Sequence, residues 1–194
     1  ELGFRFLDLQ PSETTDSMDA LTGHLLDDTA PEEAETAIQG GSVLAPRLRR
    51  LSDAKQEPVP VRGDGAYVVT GGLGGLGLEA TEWLIEQGAT SIVLMSRSSA
   101  GDRVADRLES LRRRGVCIEV FQGDVAQAAD VTRLMDFVRA DVGPLRGVIH
   151  AAGVYDDSLV VGHRWELFEK VFDAKVVGTW NLHRSTAGDE LDLF

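Results

Sequence analysis

Cysteine is nearly absent from this chain. Cys117 stands alone among 194 residues, so no disulfide can close within the chain and no thiolate zinc site is available. A reducing cytoplasm is the expected compartment. The four histidines, His24, His150, His163 and His183, show no ligand spacing, and no metal site is expected. Positive charge is also scarce: 19 lysines and arginines face 32 acids, for a formal charge of −13. That balance argues against nucleic acid or an anionic membrane surface as partner, since both need a basic face. Long apolar runs are missing too. None approaches the roughly 20 residues of a membrane-spanning helix, and no signal peptide is expected at the start. What is present is ordinary for a folded protein, with 43% hydrophobic and 26% charged residues, which excludes disorder and low-complexity character for most of the chain.

The first sixty residues and the remainder differ in pattern. Near the start, FRFLDL alternates as a strand does, with Phe4, Phe6 and Leu7 on its faces. A short helix carrying Met18, Leu21, Leu25 and Leu26 should follow, capped by Asp16 or Ser17. TAIQ and SVLAPRL flank Gly40-Gly41 and predict a hairpin. These elements are too few for a core, so residues 1–50 are expected to be a β-rich flap or the end of something larger. Residues 51–65, rich in proline, glycine and charge, read as a linker.

From Ala66 onward strands and helices alternate. AYVVT, SIVLMS, VCIEVFQ and LRGVIHAAG read as four buried strands. Between them lie three helices, the first with Leu76, Leu78, Ala80, Trp83, Leu84 and Ile85 as its apolar set, the second with Val104, Leu108 and Leu111 on one face. RWELFEKVFDAKVVGTWNLHRS predicts a fourth and longest helix, and LDLF the opening of a fifth strand. The pattern implies an α/β fold, a Rossmann-like doubly wound parallel sheet spanning residues 66–194 and cut short after the start of its fifth strand.

The turn after the first of these strands is TGGLGGLG. Gly72, Gly74 and Gly77 satisfy GxGxxG, and Thr70-Gly71 with Gly75 and Gly77 satisfy TGxxxGxG, so the loop alone does not choose between the two patterns. Either way, Gly71, Gly72, Leu73, Gly74, Gly75, Leu76 and Gly77 are candidates to hold a dinucleotide pyrophosphate at a helix N-terminus. Past the second strand, where an NAD site expects an acid, the chain has Ser96 and Arg97 and no acid before Asp102. Arg97 could bind a 2′-phosphate, which favours NADP(H). Asp124 and Val125 close the third strand, and Ala151, Ala152 and Gly153 close the fourth; ligands bind at such strand ends. Taken singly, Asp124 could equally be a helix cap. The arginines at 112–114 are expected to decorate a helix C-terminus.

GAYVVTGGLGGLG, IVLMSRSS, GDV, LRGVIHAAGV and FEKVFDAKVVGTWNLH resemble, in that order, the ketoreductase domain of polyketide synthases and animal-type fatty acid synthases, within the short-chain dehydrogenase superfamily. FRFLDLQ and ETAIQGGSVLAPRL look more loosely like the end of the structural subdomain that precedes the catalytic one. The resemblance implies NADPH-dependent reduction of a β-ketone on an acyl chain tethered to the phosphopantetheine of an acyl carrier protein. It further implies other domains of the same synthase as partners and a homodimeric parent. It makes Lys175, in AKVxG, the catalytic lysine that holds the nicotinamide ribose. The family's serine and YxxxN tyrosine lie just beyond the fifth strand, and neither Tyr67 nor Tyr155 fits that pattern, so the 194-residue chain alone is expected to reduce nothing. Tyr155-Asp156-Asp157 occupies the position of the LDD element of ketoreductases that give the 3R alcohol. His150 reads as a structural strand-end residue. A non-catalytic structural domain of a megasynthase and a nucleotide-sugar epimerase are the competing readings; an intact glycine loop speaks against the first, the missing acid after the second strand against the other.

Overall fold

The computed structural model describes residues 6–9, 15–26, 35–49 and 59–194. Two compact units divide between Gln56 and Glu57. In the first, β1 (Phe6–Leu9) pairs in parallel with β2 (Glu35–Gln39), which turns through Gly40 and Gly41 into antiparallel β3 (Ser42–Leu44). Both glycines have positive φ, as a two-residue hairpin turn demands. Helix α1 (Thr15–Leu26) begins at Thr15, before the expected cap, and packs against β2 and β3. Its Met18, Leu25 and Leu26 are exposed. Phe4 and residues 51–58 of the expected linker lie outside the described residues.

The second unit follows the alternating pattern: β4 (Ala66–Thr70), α2 (Gly75–Glu86), β5 (Ser91–Ser96), α3 (Asp102–Arg112), β6 (Cys117–Gln122), α4 (Ala128–Phe137) and β7 (Leu145–His150). All four strands run parallel in the order β6-β5-β4-β7. Every residue of β4 is buried, because helices cover both faces of the sheet. One face packs Ala66, Val68, Val93 and Val148 against Val131, Leu134 and Met135 of α4; the other packs Tyr67, Val69, Ile92 and Leu94 against Leu78 and Leu84 of α2 and Leu108 and Leu111 of α3. Order reverses between β4 and β7, which opens a crevice at their carboxyl ends.

Three details depart from the sequence pattern. Leu76 and Trp83 are exposed, since the helical period turns them away from the side of α2 that buries Leu78, Thr81 and Leu84. The long last helix is α5 (Trp165–Phe172) and α6 (Gly178–Thr186) joined through a π-helical turn, Asp173–Val177. The expected fifth strand is a single parallel bridge, Gly147 to Leu193, with the Asp192 and Val148 amides donating to the Arg146 and Leu193 carbonyls.

That last segment is pinned by charge. The Arg62 guanidinium donates to both carboxylate oxygens of Asp192, at 3.0 Å through Nε, and the fully buried Tyr67 donates its hydroxyl to the same carboxylate at 3.1 Å. The hydrogen bond from Arg62, then that from Tyr67, holds the Asp192 carboxyl below its ordinary range against desolvation. A carboxyl lowered in the fold stabilises it above the unfolded-state pKa and loses that contribution as pH falls through the folded one. Asp192→Asn is therefore expected to lower the melting temperature near neutral pH, with the difference from wild type shrinking as pH falls below about 4. A melting-temperature gap that stays constant from neutral to acid pH would contradict this.

Candidate functional site

A cavity of about 440 Å³ opens at the carboxyl ends of the strands. It is lined by Thr70, Gly71, Leu73 and Gly74 after β4, by Met95, Ser96, Arg97 and Ser98 after β5, and by Gly123, Asp124, Val125 and Ala126 after β6. Ala151, Ala152, Gly153 and Val154 after β7 and Lys170, Asp173 and Ala174 from the last helix complete it. Strand ends far apart in the chain thus share one wall.

The glycine loop is shaped by backbone crowding. Gly71 has φ +65°, and a Cβ there would come within 2.7 Å of the Ala151 carbonyl oxygen and Ala152 nitrogen. A Cβ on Gly77 would collide with the Gly71 carbonyl oxygen and stand 2.7 Å from Gly72 Cα. Gly72 packs inward, where a Cβ would meet Leu94 and the Val69 carbonyl. Gly75 differs: a Cβ there meets no protein atom within 4 Å. The open space therefore lies over the first turn of α2, capped by Gly74 without any side-chain hydrogen bond, where free amides and the helix dipole favour an anion. Gly72, Gly75, Leu76 and Gly77 do not line the cavity themselves.

After β5 the Gln122 side-chain amide donates to the Arg97 carbonyl at 3.0 Å, and the Gly123 amide to the Ser96 carbonyl at 2.9 Å. Arg97 is exposed at the rim, and its guanidinium makes no ion pair with another described residue. No acidic side chain lines the cavity at this strand end.

The loop after β6 is held from two helices. Asp130, in the first turn of α4, accepts from the Asp124 amide at 2.8 Å, and this bond, then Arg133, keeps its carboxyl below the ordinary range. The Asn181 amide on α6 donates to the Val125 and Ala126 carbonyls at 3.0 and 3.1 Å. Asp124 Oδ1 accepts from the Ala126 amide two residues on, while the N-cap of α4 is Gln127. Asp124 is thus a turn residue and no helix cap. Neither Asp130 nor Asn181 stands out in the sequence, because an acid in a first helical turn and an asparagine near a helix end are common for unrelated reasons.

Lys175 sits in the π-helical turn beside the cavity wall. Its ammonium lies over the Tyr155 ring, 4.9 Å from the centroid, and its Cε is 3.5 Å from where a Gly153 Cβ would stand. Lys170 pairs with Asp156 at 2.7 Å. Tyr67, with its buried hydroxyl engaged, and the exposed Tyr155 are both outside the lining. The arginines at 112–114 end α3, with Arg112 donating twice to the Ile118 carbonyl. Among the described residues there is no cluster of metal-binding side chains, and no helix is long and apolar enough to cross a membrane.

A parallel sheet with this order, a glycine turn into a helix and a cavity at the reversal point define a Rossmann-like fold. Residues 65–194 match the model of the KR domain family. The chain belongs to that family, the ketoreductase domains of modular polyketide synthases within the short-chain dehydrogenase superfamily. It is 43% identical over 133 residues to a mycocerosic acid synthase-like polyketide synthase of Mycobacterium tuberculosis (strain ATCC 25618 / H37Rv), covering 69% of this chain and 6% of that protein. It is 38% identical over 183 residues to a phenolphthiocerol/phthiocerol polyketide synthase of Mycobacterium tuberculosis (strain CDC 1551 / Oshkosh), covering 92% of this chain and 10% of that one. The solved structure of A-type ketoreductases from a modular polyketide synthase superposes with a TM-score of 0.82 at 33% identity, over 98% of this chain and 41% of that one. The chain thus spans a tenth or less of the curated relatives named here.

Proposed function

We propose that the second unit is the NADP(H)-binding part of a β-ketoacyl reductase that acts on acyl chains carried by the acyl carrier protein of a polyketide synthase, giving β-hydroxyacyl thioesters. The observation that carries this reading is the cavity at the strand ends, lined both by Gly74 at the N-cap of α2 and by Arg97 at the end of β5, an arginine with no ion pair among the described residues. The residues present fit the cofactor in kind. Amides of residues 75–77 would take the pyrophosphate, Arg97 the 2′-phosphate and the turn at Asp124 and Val125 the adenine. Ala151, Ala152 and Gly153 would offer a small-residue wall to the nicotinamide half, and Lys175 a donor to its ribose. When bound, NADPH supplies the hydride that goes to the carbonyl carbon. A proton must also reach the carbonyl oxygen, and this chain offers no tyrosine for it: the Tyr67 hydroxyl is buried between the Arg62 amide and Asp192, and Tyr155 is outside the cavity. Residues 1–50 are read as the end of a preceding structural subdomain, with other synthase domains and a second copy of the parent as partners, in the cytoplasm.

Fluorescence titration of the purified 194-residue chain should show saturable NADPH binding, while the same sample should leave NADPH unoxidised in the presence of a β-ketoacyl thioester. Absence of binding would remove the proposal. Measurable ketone reduction would show that a residue of this chain can donate the proton.

A further inference from the structure

His150, the last residue of β7, joins three segments. Its Nδ1 lies 2.5 Å from Thr70 Oγ1 and its Nε2 2.9 Å from the Ala174 carbonyl oxygen. A carbonyl only accepts, so Nε2 carries the proton, and Nδ1 accepts from the Thr70 hydroxyl. Burial pushes the imidazole pKa below its ordinary value, with the Ala174 bond opposing, and the ring is neutral near pH 7. Thr70 Oγ1 in turn lies 3.4 Å from the Ala152 amide, which lines the cavity.

The third segment matters most. Ala174 immediately precedes Lys175 inside the π-helical turn Asp173–Val177, where the Gly178 amide donates to the Asp173 carbonyl five residues back. A turn wound this wide departs from the regular helical ladder. The helix itself supplies one tie, from Thr179 Oγ1 to the Lys175 carbonyl at 2.5 Å. Among the described residues, His150 is the one side chain of the sheet that bonds to the backbone of this turn.

We propose that His150 is a positioning residue for Lys175. By tethering Ala174 to the end of β7, it sets where the Lys175 ammonium stands against Gly153 and Tyr155, and so whether that ammonium can reach a cofactor ribose. This rests on the reading of Lys175 as a cofactor contact. Two replacements separate the tether from simple space filling. Glutamine at 150 carries an amide N–H about as far out as Nε2 and can still donate to Ala174. Asparagine places its amide near Nδ1, keeps a partner for Thr70 and falls short of Ala174.

The test is NADPH titration of His150→Gln, His150→Asn and His150→Leu, each in wild-type and Lys175→Met chains, with melting curves for all. Lys175→Met alone should weaken binding by about tenfold, the scale of one hydrogen bond to a charged group. His150→Asn and His150→Leu should each weaken it by about three- to tenfold, and His150→Gln should bind as wild type. In the Lys175→Met background none of the three should cost anything further. A His150→Gln chain that melts with wild type yet binds as weakly as His150→Leu overturns the proposal, as does an equal loss from His150→Leu in both backgrounds. Unchanged binding by Lys175→Met overturns the reading of Lys175 itself, and the proposal with it.

Discussion

Replacing Gly77 by alanine is expected to weaken NADPH binding by up to about a hundredfold, whereas the same change at Gly75 should spare the fold and act on the ligand alone. The two glycines lie two residues apart in one motif, and the difference follows from what surrounds each. A methyl at Gly77 would stand on the Gly71 carbonyl oxygen and 2.7 Å from Gly72 Cα. Both neighbours are backbone, and the loop that carries them is fixed: the Gly72 amide donates to the Met95 carbonyl at 3.2 Å, and the Gly74 amide to the Gly71 carbonyl at 2.9 Å. Relief therefore requires the loop to move off the sheet. Overpacking of this kind costs about 1–3 kcal/mol, here spent in distorting the surface that meets the pyrophosphate. At Gly75 a methyl meets no atom beyond its own turn of helix, and alanine is no worse than glycine as a helix former. Gly75→Ala should melt at or above wild type and still bind NADPH more weakly, because the methyl occupies space left for the ligand. Melting curves and titrations on both variants check this. Wild-type affinity in Gly77→Ala, or in Gly75→Ala, would show that the cofactor does not approach the first turn of α2.

The asymmetry between these glycines explains how far the sequence could be read. The sheet was legible because β4 is apolar at nearly every position and bounded by a glycine turn, a pattern that few other arrangements satisfy. The candidate wall was legible for the same reason, since the residues after four successive parallel strands must converge. Less legible was anything that depends on the contact between elements. Leu76 and Trp83 read as core residues by composition but face away from the buried side of α2, and only the helical phase set by its start at Gly75 decides that. The π-helical turn has no side-chain signature, because widening a helix by one residue conserves every local propensity on either side. Asp130 and Asn181 act on the loop after β6 through backbone atoms of residues in other elements, which no spacing rule encodes. Trp165, Phe168 and Phe172 were equally opaque: they line up at helical spacing as a buried face would, yet remain exposed on α5.

Arg97→Ala is expected to lower NADPH affinity by about ten- to a hundredfold while leaving NADH affinity unchanged. The reason lies in charge placement within an acidic protein. With a net charge of −13, the chain as a whole repels a dinucleotide, so attraction must come from local groups. The first turn of α2 serves the pyrophosphate, which both cofactors share. The 2′-phosphate is the one feature that separates them, and among the residues lining the cavity after β5 only Arg97 is cationic. Its guanidinium is not committed to another described residue, so binding a phosphate breaks no existing ion pair. Its backbone is held independently by the Gln122 side chain, so truncating the side chain leaves the turn in place and isolates the charge. Because Arg97 is exposed, its attraction is screened, and the preference for NADPH over NADH should shrink as salt is raised in wild type but not in Arg97→Ala. Equal losses for both cofactors would mean that the substitution disturbs the crevice as a whole. An unchanged preference would assign the 2′-phosphate to another group.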